Sequence, residues 1–116
     1  MDPRFEKALD FANYQKTLTV QKETLKEKTI KKMLIGYNGG LFSVDRNLMC
    51  FVKMLVDSDR IKDIPLLDLN DNPILIEDLI DFWETILDNY LQNMNDYYKG
   101  YEDLKKQRSV AKIIES

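Results

Sequence analysis

The chain has 116 residues, 44% apolar and 32% charged, with 17 bases against 20 acids and a net charge of −3. That length suits one domain able to bury roughly two-thirds of its unfolded surface, and the composition excludes a disordered chain. A single cysteine, Cys50, excludes an intrachain disulfide, while the absence of histidine removes Ser-His and Cys-His pairs, the usual near-neutral pH switch and the common zinc site.

Pro3 suits the first turn of a helix, and Asp2 before it is a cap of the right charge. Phe11, Tyr14, Leu18, Gln21 and Leu25 then alternate in steps of three and four, with Phe5, Ala8, Leu9 and Ala12 broadening the stripe at the front. The spacing predicts a helix over 3–29. From Lys32 the period changes to two, and Asn38-Gly39 between Met33–Tyr37 and Leu41–Val44 marks a β-hairpin over 33–44, with Gly40 a possible bulge.

Asp45 can cap a short helix over 45–57. Its Leu48, Met49, Phe51, Val52, Leu55 and Val56 are apolar on most sides, which predicts a buried helix with Cys50 as a small core residue. A second hairpin is expected over 64–75, turning at Asn70-Asp71-Asn72, with Pro65 and Pro73 confining its strands to edges.

The longest pattern comes last. Ile76, Ile80, Trp83, Leu87, Tyr90, Met94, Tyr97, Tyr101 and Leu104 follow one another in alternating steps of four and three, predicting a long helix over 77–107 whose seam faces another helix. Gly100 within it marks a kink or a close neighbour, and 109–116 is expected as a tail.

These elements predict one α+β domain, mostly α: a long antiparallel, coiled-coil-like helical hairpin with a β-hairpin-rich middle and one short buried helix. Charge suggests a register. Lys22, Lys26, Lys28, Lys31 and Lys32 would face Glu77, Asp78, Asp81, Glu84 and Asp88, setting Leu18 and Leu25 beside Trp83 and Leu87. Asp2, Glu6 and Asp10 would then meet Lys105, Lys106 and Arg108. Such exposed pairs contribute a few tenths of a kcal/mol each, enough to choose an orientation and too little to hold one.

Leu79, Phe82, Ile86, Leu91 and Tyr98 flank the seam, and a single partner helix leaves them uncovered. A homo-oligomer is therefore expected, with Trp83, Leu87, Tyr90, Met94, Tyr97, Tyr98 and Tyr101 as its interaction residues. The competing reading has the tyrosines covering a core edge with their hydroxyls in water.

No catalytic, cofactor-binding or metal-binding residue is assigned. Asp68-Leu69-Asn70-Asp71-Asn72 opens like a calcium loop, but Pro73 stands where that loop needs glycine and Leu79 where it needs glutamate, so a plain turn with side-chain-to-backbone bonds is expected. The acids of 78–88 read as a solvated helix face. Gly39-Gly40 lacks the Lys-Ser or Lys-Thr of a phosphate loop. The lysines of 22–32 could meet nucleic acid, yet the acidic long helix and negative net charge oppose a phosphate backbone. No stretch approaches the roughly 20 apolar residues of a membrane span, and the start lacks the basic-then-apolar order of a signal peptide, so a cytoplasmic protein is expected.

The runs Phe11-Ala12-Asn13-Tyr14-Gln15-Lys16-Thr17-Leu18 and Asn95-Asp96-Tyr97-Tyr98-Lys99-Gly100-Tyr101, with the Asn-Gly-Gly hairpin between them, resemble small uncharacterised proteins of T4-like tailed bacteriophages. The resemblance implies a host-cytoplasmic or virion location and no activity. The layout of outer helices around β-hairpins is similar to prefoldin-type chaperones, from which the helix at 45–57 departs. The expected function is a non-enzymatic, self-associating structural or assembly protein, with no cofactor and an unknown protein partner. The alternative is a regulatory adaptor docking on a larger machine such as RNA polymerase.

Overall fold

Asp2 and Pro3 open the first helix as their chemistry predicts. The Asp2 carboxylate accepts the Arg4 N–H at 3.0 Å, and α1 spans Pro3–Lys32, past the expected end at 29. Its β-branched threonines bond back to their own helix: Thr17, Thr19, Thr24 and Thr29 each donate to the carbonyl four residues earlier, at 2.8 to 3.1 Å. The computed structural model describes residues 2–115, and the side chains of 2–107. The remaining elements are β1 (Leu34–Tyr37), β2 (Gly40–Ser43), α2 (Arg46–Asp57), β3 (Lys62–Leu67), β4 (Pro73–Asp78) and α3 (Leu79–Glu115). The fold is α+β, mostly helical, with two antiparallel two-stranded sheets.

Contacts divide the chain into two units, Met1–Thr29 with Asn95–Ser116, and Ile30–Met94. In the second unit, Asn38 and Gly39 take φ of 49° and 82°, the positive values that a two-residue primed turn requires. Gly40 is no bulge, since it pairs with Tyr37. A Cβ on it would lie 2.6 Å from Ile74 Cγ1, so glycine stands where the second hairpin presses on the first. That hairpin is longer than expected: Lys62 pairs with Asp78 at one end and Leu67 with Pro73 at the other. Glu77 and Asp78 thus belong to β4, and α3 begins two residues later than its acids suggested.

Asp45 caps α2, its carboxylate accepting the Leu48 N–H at 2.8 Å. The helix is not buried on all sides. Val52 alone is fully enclosed, while Cys50, Phe51 and Met54 face solvent, because two small hairpins and one stretch of α3 cover only one side. The expected placement of Cys50 in the core is corrected accordingly. Met33, Phe42, Val44, Val52, Leu66, Ile76, Leu79, Phe82 and Ile86 form the core of this unit.

That core corrects the predicted seam of the last helix. The buried stripe is Leu79, Phe82, Ile86 and Asn93, with Tyr90 half-buried between them, and Ile80 is 41% exposed. Leu79, Phe82 and Ile86, expected as flanks, are the packed ones, while the flanking Leu91 and Tyr98 are exposed. Asn93 carries its amide inward, donating to the Asn89 carbonyl at 2.8 Å, and Asn89 donates to the Lys32 carbonyl at 3.3 Å. The Lys32 carbonyl, orphaned by the helix end, thereby finds a donor.

In the first unit, Leu25 fills the space above Gly100, where a Cβ would stand 2.9 Å from Leu25 Cδ2. Gly100 therefore marks a close contact. Leu25, which the charge register set beside Trp83 and Leu87, has its α3 contact at Gly100 within this unit. The helix also continues to Glu115, where a tail was expected from 109.

Candidate interaction surfaces

The seven residues predicted for interaction separate into different surroundings. In the second unit, Trp83, Leu87, Tyr90 and Met94 are all half-buried. Trp83 closes one side of an open cleft of about 600 Å³ whose other wall is α2, through Met49, Cys50 and Met54. Lys53 sits 5.8 Å above the indole ring and spends its charge on Asp57 at 3.0 Å, leaving the cleft mostly apolar. Tyr90 and Met94 instead line a smaller cavity of about 300 Å³ with Met33, Val44 and Arg46. In the first unit, Tyr97 and Tyr101 are half-buried and Tyr98 is 64% exposed. Lys105 lies 5.2 Å over the Tyr101 ring and pairs with Glu102 at 3.2 Å, not with an acid of α1. Arg108, expected beside it, lies outside the described side chains.

The acidic stretch has structural duties. Asp78 caps α3, accepting the Ile80 and Asp81 N–H groups at 3.1 and 3.2 Å. Asp81 accepts the Tyr37 hydroxyl at 2.6 Å. Among the described residues no ion pair joins this stretch to the lysines of α1, and no group of three or more Cys, Asp or Glu side chains could hold a metal ion.

Burial, then the bond to Asp81 and the charges of Asp81 and Asp78, push the Tyr37 phenol up to about 12. A raised value means that the folded chain holds this proton more tightly than the unfolded one. The stability so gained is present below the ordinary tyrosine value of about 10 and is lost as pH rises through 12. The difference in phenolate absorbance between the wild type and Tyr37→Phe should accordingly rise with a midpoint near 12. A midpoint near the ordinary value of about 10 shows that the Tyr37–Asp81 bond is not made in solution.

Asp68 is the polar centre of the hairpin end. It is buried, and one carboxylate oxygen accepts the N–H groups of Asn70 and Asn72 at 2.9 Å each, while the other accepts Leu41 N–H at 3.1 Å. These are the side-chain-to-backbone bonds expected of the turn, with the Leu41 bond added across hairpins. The backbone donors of Asn72 and Leu41 hold the acid below the usual aspartate range. Two surfaces escaped the sequence reading. One is the solvent face of α2. The other is the outer face of β3–β4, where Pro65, Leu67, Pro73 and Leu75 are exposed. The signal for the latter was present, since Ile64–Leu67 and Pro73–Ile76 are apolar in both phases of a strand.

No helix among the described residues is long and apolar enough to cross a membrane. No protein-family model, no curated protein and no solved structure matches the chain.

Proposed function

We propose that the chain is a non-enzymatic protein-interaction module that self-associates through its helices, in a structural or assembly role. One observation carries the reading: α1 is apolar on two opposite faces. At about 100° per residue, Tyr14, Leu18 and Leu25 fall on one side of the helix, which Leu25 turns toward Gly100. Phe5, Ala8, Leu9 and Ala12, read from the sequence as broadening that same stripe, fall instead on the other side, where Phe5 is 55% and Leu9 43% exposed. A helix that only had to pair within its own chain needs one such stripe. In this reading α1 and α3 form an antiparallel hairpin. A contact within the first unit supports the pairing of the two helices: Leu25 of α1 meets Gly100 of α3.

Light scattering across a concentration series tests the proposal. The mass should rise above the 13.7 kDa of one chain as concentration increases, and Phe5→Glu with Leu9→Glu should hold it at one chain throughout with helicity unchanged. A wild type that stays a strict monomer overturns self-association and favours the adaptor reading.

A further inference from the structure

Two-stranded antiparallel sheets usually turn one face to the core and a polar face to water. The β3–β4 hairpin does not. Ile64, Leu66, Ile74 and Ile76 point inward, yet the alternate positions are Pro65 and Leu67 on β3 and Pro73 and Leu75 on β4, with Pro65 opposite Leu75 and Leu67 opposite Pro73. Leu67 is 63% and Leu75 51% exposed. Leu69 follows just past the strand, and its N–H donates to the Leu41 carbonyl at 2.7 Å, which sets exposed Leu41 beside it. The largest exposed apolar patch of a protein is often a site of interaction.

The patch is also held rigid. Asp68, between Leu67 and Leu69, is buried and bonded to three backbone N–H groups, so the leucines on either side are set in place before any partner arrives. Its ends are acidic. Glu77 occupies the outward phase of β4, two residues from Leu75; Asp63, with φ of 53° between the paired Lys62 and Ile64, lies at the same end, and Asp71 lies in the turn at the other end; all three are exposed. The nearest base in sequence, Lys62, falls in the opposite phase.

We propose that this face is the docking site for an amphipathic helix of another protein, whose apolar stripe crosses the leucines and whose basic residues meet Asp63 and Glu77 at one end and Asp71 at the other. The span between the acids is about 15–20 Å, or 10–13 helical residues. An added β-strand fits poorly, because Pro65 and Pro73 offer no N–H to it. An anionic bilayer is repelled by acids at both ends. The site does not depend on self-association, and its test is separable from that reading.

The probe is a designed helical peptide of about 14 residues with leucines at helical spacing and paired lysines at both ends, beside a twin with glutamates for the lysines. By titration calorimetry, the lysine peptide should bind the full wild-type chain at least tenfold more tightly than it binds Leu67→Ser with Leu75→Ser, and at least tenfold more tightly than the glutamate twin binds. Asp63→Lys with Asp71→Lys should reverse the preference between peptides. The serine variant should keep the wild-type melting temperature and the wild-type mass at every concentration. Equal binding to both chains, equal binding of both peptides, or no binding overturns the proposal. A mass lowered by the serine substitutions assigns the face to a second copy, and their abolishing capture by anionic vesicles assigns it to a membrane. Either result overturns the proposal as well.

Discussion

Phe82→Ala should destabilise the chain by about 3–5 kcal/mol, a large part of the 5–15 kcal/mol typical of a native domain. Phe82 is fully buried, and its ring is met edge-on by Tyr37 at 4.9 Å and by Phe42 at 5.0 Å, so truncation removes the side chain that joins the first hairpin to α3. Ile80→Ala, two residues earlier in the stripe predicted from the sequence, should cost about 1 kcal/mol or less, as partly exposed positions do. Denaturant unfolding of both variants decides between the two stripes. Equal losses, or a larger one at Ile80, show that α3 presents a different face to the core.

Asp68→Ala should lower the melting temperature by roughly 10 °C, because it strands three N–H groups at once: Leu41 of the first hairpin, and Asn70 and Asn72 of the turn. Asp68→Asn should fall between, since an NH2 donor replaces one of its two acceptor oxygens. The same carboxylate makes a pH signature. Its folded value is lowered, so the stability it contributes is present above the ordinary aspartate value of about 4 and is lost as pH falls through the folded value. Melting curves recorded from neutral pH into acid should show the gap between wild type and Asp68→Asn constant at first, then narrowing below about 4. A gap that does not change with pH means that the charge contributes nothing and only the shape of the turn matters.

Local chemistry was legible in the sequence wherever the answer depended on neighbours in the chain. Asn38-Gly39 made its turn, Asp2 and Asp45 capped their helices, and Asp68 bonded to the backbone two and four residues on. What was not legible depended on contacts distant in sequence. The last helix carries two adjacent apolar stripes, Ile80-Trp83-Leu87 and Leu79-Phe82-Ile86, and periodicity does not rank them. The packing of Phe42, Leu66 and Ile76 from the hairpins ranks them. The register of α1 on α3 failed for a related reason. It was read from charge pairs contributing tenths of a kcal/mol, whereas the close approach of Leu25 to Gly100 sets it through contact. Of the seven interaction residues, only Tyr98 is largely open to solvent, and the second hairpin, read from its prolines as edge strands, was not singled out although Leu67 and Leu75 are exposed.

Trp83 gives one more property to the molecule. It is the chain's sole tryptophan, placed in the unit of Ile30–Met94, so intrinsic emission reports the melting of that unit alone. Far-ultraviolet ellipticity is dominated by the 30 and 37 residues of α1 and α3. One optical signal thus watches the unit of Ile30–Met94 and the other the helices of both units, since α3 starts in one and ends in the other, and their overlap or separation during unfolding measures whether the two units melt together.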